Sequence, residues 1–177
     1  VEAATCGGAS PPRRNCKNTS LCEAFVAGAD LSHSNVDNAD REGANLERSI
    51  LVGVNLSRAN LEGAKLAGAN LSGARLAYAQ LEAASLGGAD LSGTLLSHAD
   101  LSECDLSSAK LSFADLSGAN LRGAHVEEAD LSDANLAYAE LSEVRARGAK
   151  FAGASVAKAN RRPATLGPGG RAGPTLA

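Results

Sequence analysis

The hydrophobic and polar positions of this chain repeat with a period of five residues from position 24 to position 158, without interruption. Leucine occupies 20 of the 27 positions that run in steps of five from 26 to 156, and alanine occupies 21 of the 27 positions two residues earlier. A period of five matches neither the 3.6-residue period of an α-helix nor the two-residue alternation of a long β-strand. The pattern therefore predicts a tandem repeat with a structure of its own.

Within one unit, the alanine and the leucine lie two residues apart, with a polar residue between them. Residues two apart in an extended segment point to the same side, so both apolar side chains should face a common core and the polar residue should face solvent. The next two positions hold 11 serines and 12 glycines, respectively, and both residues favour turns. Each unit therefore predicts a short extended side and a turn, and stacked units predict a polygonal solenoid.

Tandem units such as ANLEG, AKLAG, ANLSG and ARLAY resemble the pentapeptide-repeat family, and the resemblance covers about 135 of the 177 residues. It implies an all-β fold, a right-handed quadrilateral parallel β-helix of about seven coils. We expect three parts: an N-terminal cap or loop segment at 1–23, the β-helix at 24–160, and a flexible basic tail rich in proline and glycine at 161–177.

The net charge is only −3 at pH 7, but the charges are unevenly distributed. If each coil has four sides, every fourth unit lies on the same side, and one side then combines eight acids with the two bases Arg41 and Arg122. We call the acids of this side the acidic face: Asp40, Glu42, Glu62, Glu82, Asp100, Glu103, Glu140 and Glu143. This concentration of charge predicts a binding surface for a basic protein partner.

No combination of residues indicates catalysis, a cofactor or a metal. The serines and glycines of the repeat lie at turn positions, so they form neither a nucleophile with a partner base nor a phosphate-binding loop. The three histidines, His33, His98 and His125, show no metal-ligand spacing. We expect no enzymatic activity and no cofactor, and no stretch is long and apolar enough to cross a membrane.

The four cysteines fall into two groups. Cys104 takes an alanine position and is expected to be a small buried residue. Cys6, Cys16 and Cys22 lie in the N-terminal segment, and their spacing matches no common zinc site. A disulfide among these three would indicate an exported or lumenal protein, whereas reduced thiols would fit a cytoplasmic one. Both alternatives remain open.

A few residues depart from the repeat pattern. Arg41 takes a leucine position, and because a buried unpaired arginine is costly, we expect a distorted coil or a side chain turned outward to Asp40 or Glu42. Ile50 and Leu95 take outward positions. Tyr78 and Tyr138 are expected on one side and Phe113 on a neighbouring side, which suggests a small aromatic patch.

Three functions are compatible with these features. The first is a non-enzymatic scaffold that presents the acidic face to a protein partner. The second follows from the resemblance, because some pentapeptide-repeat proteins mimic DNA, bind DNA gyrase or topoisomerase IV and protect against quinolones; the small net charge and the basic last coil count against it. The third is an exported or lumenal structural protein with a disulfide-stapled cap. Direct nucleic-acid binding is not expected, and both a monomer and an end-to-end dimer fit.

Overall fold

The structure, a computed structural model, describes residues 27–40 and 42–161. Every fifth residue from Asp30 onward forms a parallel bridge with the residue 20 positions further along, and the last bridge joins Glu140 to Asn160. Each bridge is a single residue pair, and no longer strand occurs in the described ranges. Because four bridge positions fall within each interval of 20 residues, this part of the chain is a four-sided parallel β-solenoid.

We number the four sides by their bridge residues, which follow one another in steps of 20. Side 1 has bridge residues 30 to 150, side 2 has 35 to 155, side 3 has 40 to 160, and side 4 has 45 to 145. The predicted acidic face is side 3 with the turn that follows it. The side that precedes side 3 along the chain is side 2, and the two meet at a corner.

Backbone hydrogen bonds join each coil to the next. The N–H of Leu101 donates to the carbonyl of Asn120 at 2.7 Å, and the N–H of Asn120 donates back to the carbonyl of Ala99 at 3.0 Å. In the turn, the N–H of Glu103 donates to the carbonyl of Arg122 at 2.9 Å. The same three bonds recur in nearly every described unit, so the backbone of each coil is held by its neighbours.

The core is a stack of leucines over a layer of alanines. Every described alanine and leucine position from Ala39 to Ala139 is at most 2% exposed, which confirms the inward orientation predicted from the five-residue pattern. Thr94 takes one of these positions, and its hydroxyl donates to the carbonyl of Leu91 at 2.7 Å. Burial decreases in the last coil, where Phe151 is only partly buried.

Each corner is a β-turn. The N–H of Ala84 donates to the carbonyl of Leu81 at 2.9 Å, and this bond recurs along the chain. The second residue of every turn has a positive φ, while the first does not, which is the pattern of a type II turn. Glycine suits that conformation, yet fifteen residues other than glycine also adopt it, among them Ala83 with a φ of 55°.

Several predicted features lie outside the described residues. They include the N-terminal cap, the three cysteines Cys6, Cys16 and Cys22, the side chain of Arg41, and all of the tail except Arg161. The bridges on both sides of position 41 keep the 20-residue spacing. Within the described ranges there is no helix long and apolar enough to span a membrane.

Adjacent leucines with opposite orientations test the core. Leu96 is fully buried, whereas Leu95 is 43% exposed. We expect Leu96→Ala to lower the free energy of unfolding by about 2–5 kcal/mol, because it leaves a cavity in the stack. The matched control Leu95→Ala should cost about 0.5 kcal/mol. Urea denaturation followed by circular dichroism measures both, and equal losses would contradict the assigned orientations.

Two alanine-to-glycine changes test the turn geometry. Ala83 has a positive φ, so Ala83→Gly should raise the free energy of unfolding by about 1 kcal/mol. Ala77 lies at the first turn position, where φ is not positive, and Ala77→Gly should lower it by about 0.5–1 kcal/mol. We expect the two changes in the free energy of unfolding, measured by thermal or urea denaturation, to have opposite signs. If both variants are destabilised, the assigned turn geometry is wrong.

Candidate protein-interaction surface

The structure places all eight acids of the acidic face on side 3 or its turn. They occupy three kinds of position: bridge positions (Asp40, Asp100 and Glu140), first turn positions (Glu42, Glu62 and Glu82) and second turn positions (Glu103 and Glu143). The five turn acids are exposed and the three bridge acids are partly buried. Neighbouring coils are about 4.8 Å apart, so the turn acids form rows along the solenoid.

The bridge acids accept hydrogen bonds from their own turns and from the next coil. Asp100 accepts hydrogen bonds from the Ser102 N–H at 3.0 Å, the Ser102 hydroxyl at 2.6 Å and the Asn120 amide at 3.0 Å. Glu140 accepts from the Ser142 N–H at 2.9 Å and the Asn160 amide at 2.6 Å. These contacts give the bridge acids a structural role, because each bond pairs a polar group of the turn or of the side chain stacked in the next coil.

The same kind of hydrogen bond lowers the pKa of one bridge acid of side 3 and of one on side 1. Hydrogen bonds from the Ser142 and Asn160 side chains hold the pKa of Glu140 below its ordinary value. On side 1, the Ser132 side chain lowers the pKa of Asp130 in the same way. Hydrogen bonds that favour the charged form of an acid lower its pKa, so Glu140 stays ionised to a lower pH than an unperturbed glutamate would.

The turn acids differ in how far their charge is compensated. Glu143 pairs with Arg122 at 3.1 Å. Glu62, Glu82 and Glu103 make no side-chain ion pair or hydrogen bond with another described residue. The uncompensated negative charge therefore lies on fewer residues than the eight that the sequence pattern counted.

A row of aromatic and cationic side chains borders side 3. It follows the second turn position at the corner between sides 2 and 3 and contains Tyr78, His98, Gly118, Tyr138 and Lys158, one from each successive coil. The rings of Tyr78 and His98 stack with centroids 5.1 Å apart and an interplanar angle of 13°. The Nζ of Lys158 lies 5.2 Å from the centroid of the Tyr138 ring. We call this set the corner row.

Part of this surface was predictable. The five-residue pattern placed Tyr78 and Tyr138 on one side, which the structure confirms, but it did not connect them with His98 and Lys158. The signal was present, since all four stand at second turn positions that share one 20-residue register. Phe113, which is 70% exposed, lies at the other corner of side 2.

The remaining chemistry in the described ranges is limited. Burial raises the pKa of the Cys104 thiol to about 12, and this thiol donates to the carbonyl of Leu81 at 2.8 Å, so the predicted small buried residue is confirmed. No group of three or more histidine, cysteine, aspartate or glutamate side chains among the described residues could hold a metal ion.

This architecture defines a class: a β-solenoid repeat protein in which the alanine and leucine positions form the core and the polar positions face outward. The chain belongs to the pentapeptide-repeat family. The family of pentapeptide repeats matches it in eight copies, over residues 15–53, 42–76, 55–93, 84–123, 114–153 and 129–160. No curated relative matches.

Solved structures of pentapeptide-repeat proteins resemble this chain. A trypsin-treated variant of QnrB1, a plasmid-mediated fluoroquinolone resistance protein, is 21% identical over 84% of this chain and 72% of its own, with a TM-score of 0.68. A protein from the Arabidopsis thaliana thylakoid lumen is 28% identical over 62% and 66%, with a TM-score of 0.46. HetL from Nostoc sp. strain PCC 7120 is 31% identical over 87% and 90%, with a TM-score of 0.28. Proteins of this family form right-handed quadrilateral β-helices.

The hydrogen bonds to Glu140 predict a pH effect. Ser142→Ala removes a side-chain bond to the charged form, so the pKa of Glu140 should rise toward its ordinary value. Because a lowered folded-state pKa contributes stability above the ordinary pKa that is lost as pH falls through the lowered value, the variant should be less stable at pH 7 and equally stable in strong acid. Carboxyl carbon NMR titration measures the pKa.

The control for this experiment is Ser97→Ala. Ser97 has the same turn position on side 2, where the preceding bridge residue is Leu95 and offers no carboxylate. This change should leave the Glu140 titration unmoved. An unchanged Glu140 pKa in Ser142→Ala would refute the role given to the serine.

Proposed function

We propose that this chain is a non-catalytic scaffold, a rod of about seven coils, whose acidic face binds a basic partner protein. The observation that carries this proposal is the run of exposed carboxylates on Glu62, Glu82 and Glu103, which stand in three successive coils of side 3 without a side-chain ion pair among the described residues. Unpaired like charges held in a row repel one another, and a cationic partner would relieve that repulsion.

Ion pairs on sides 1 and 2 contrast with this run. On side 2, Arg58 pairs with Asp37 at 3.1 Å. On side 1, Lys110 lies 3.8 Å from Asp90. Of the four sides, side 3 has the largest excess of acids over bases in the sequence, eight acids against Arg41 and Arg122.

The solenoid suits a binding role because its surface is already ordered. Three backbone bonds per unit hold each coil of the described repeat to its neighbours, so little conformational entropy remains to be lost when a partner docks. Preorganisation of this kind raises affinity by lowering the cost of binding. Exposed charges contribute mainly to association rate and to salt dependence.

Two variants of equal charge test the acidic face. Glu62→Gln, Glu82→Gln and Glu103→Gln together should weaken binding of a nona-lysine peptide by about tenfold at low salt, at up to about 1 kcal/mol per lost exposed pair. The control combines Glu47→Gln, Glu128→Gln and Asp133→Asn, which lie on other sides, and should cost about twofold. Fluorescence anisotropy measures both, and equal losses would show that only net charge matters.

The same two variants examine the second hypothesis, that the rod mimics DNA toward DNA gyrase or topoisomerase IV. The observation in its favour is a solenoid like that of QnrB1 with a row of carboxylates on one side. If the native protein alters gyrase supercoiling or its inhibition by a fluoroquinolone, and the acidic-face variant alone loses that effect, DNA mimicry is favoured over a general scaffold. If the native protein at micromolar concentration has no effect on gyrase, DNA mimicry is rejected and the scaffold for a basic partner remains.

The third hypothesis, an exported or lumenal protein with a stapled cap, depends on Cys6, Cys16 and Cys22 outside the described residues. Intact mass before and after reduction decides whether these thiols are paired.

A further inference from the structure

We propose that the corner row is an arginine-binding site: guanidinium groups of a partner protein stack on the rings of Tyr78, His98 and Tyr138 and pair with the bridge acids of side 3. This inference rests on the proposed function and deepens it, because it names the basic residue that the partner presents.

The rings are exposed and held in place. Tyr78 is 59% exposed and Tyr138 is 63% exposed, which is unusual for large side chains with an apolar body. Stacking on His98 fixes the orientation of the Tyr78 ring, so that it presents a face without losing further rotamer freedom. Exposed tyrosines that are already ordered are typical of the residues that dominate protein interfaces.

The chain itself shows that this row accepts a cation. Lys158 follows Tyr138 by one coil and places its Nζ 5.2 Å from the ring centroid and 3.3 Å from the phenol oxygen. One coil after His98, the equivalent residue is Gly118, which has no side chain. The ring of His98 lies against this glycine, with its Nδ1 2.7 Å from the position that a Cβ would take.

The glycine leaves one face of the Tyr138 ring without a neighbouring side chain from its own row. His98 and Tyr138 stand two coils apart, a backbone separation of about 9.6 Å at the usual strand spacing. The His98 ring already lies over Gly118, and Lys158 follows Tyr138 one coil later. A guanidinium of a partner can therefore stack on the face of Tyr138 that points toward Gly118.

A carboxylate follows two of the three rings. The residue two positions after each ring is a bridge residue of side 3: Gln80 after Tyr78, Asp100 after His98 and Glu140 after Tyr138, while the bridge residue next to Gly118 is Asn120. A guanidinium is planar and can stack on a ring while its N–H groups donate to a carboxylate, whereas an ammonium group is compact and cannot stack. The combination of ring and acid therefore selects arginine over lysine. The same acids repel phosphates, which disfavours a nucleic acid as the occupant.

Two peptides of equal charge test the site. We expect nona-arginine to bind the full chain about fivefold more tightly than nona-lysine, measured by fluorescence anisotropy. In the double variant Tyr78→Ala/Tyr138→Ala this preference should fall below about twofold, because nona-arginine affinity falls more than nona-lysine affinity. The control Phe113→Ala removes the most exposed aromatic ring from the other corner of side 2 and should keep the full preference.

The outcomes separate this inference from the proposed function. An arginine preference that survives in the double variant, or that disappears in Phe113→Ala, overturns the corner site. Nona-lysine binding that does not respond to the acidic-face variant refutes the proposed function, whatever the arginine preference. Binding of a fluorescent oligo-thymidine that the double variant loses would assign the row to nucleic acid and overturn the inference. Because both tyrosines are exposed, the double variant should fold like the native protein, and circular dichroism checks this.

Discussion

The backbone hydrogen bonds between neighbouring coils, in a register of 20, determine how side chains are arranged over the described part of this protein. They turn the sequence into columns, so that residues 20 apart lie one above another. Stacked acids would repel, and several bridge columns relieve this by placing an asparagine over an acid. The Asn120 amide donates to Asp100 at 3.0 Å and the Asn135 amide donates to Asp115 at 3.0 Å. At the turns of side 3 no such amide separates Glu62 from Glu82, which is why charge accumulates there.

The core was predictable because the information for it is local. Alanine and leucine two residues apart specify which way a short extended segment faces, and the structure confirms burial at nearly every such position, including Cys104. The number of sides was not local information. A period of five fits a polygon of any size, and only the hydrogen-bond partner 20 residues away decides it. The family resemblance supplied that number before the structure showed it.

The candidate surface was less predictable, because charge counts treat all acids alike. Asp100 and Glu140 accept hydrogen bonds from their own turns. Glu143 pairs with Arg122, and the sequence cannot show that these residues, 21 positions apart, are neighbours until the register of the coils is known. The stack of Tyr78 on His98 depends on the same register. Side-chain rotamers and pairings across coils are three-dimensional properties, so the sequence could indicate the acidic side but not which of its carboxylates remain unpaired.

The corners link stability to function. Their second residue has a positive φ, which costs about 1–2 kcal/mol for a residue other than glycine, and glycine is accordingly common there. Yet Tyr78, His98, Glu103 and Tyr138 all take this conformation, although each could have been replaced by glycine without loss of core packing. Side chains kept where the backbone disfavours them are expected at functional sites, because the surrounding coils supply the stability that the local conformation lacks. Tyr78, His98, Tyr138 and the unpaired Glu103 meet that criterion, whereas Gly118 and the buried leucines do not. Eleven further residues, Ala83 among them, also meet it, so the conformation becomes informative only where an exposed ring or an unpaired charge accompanies it.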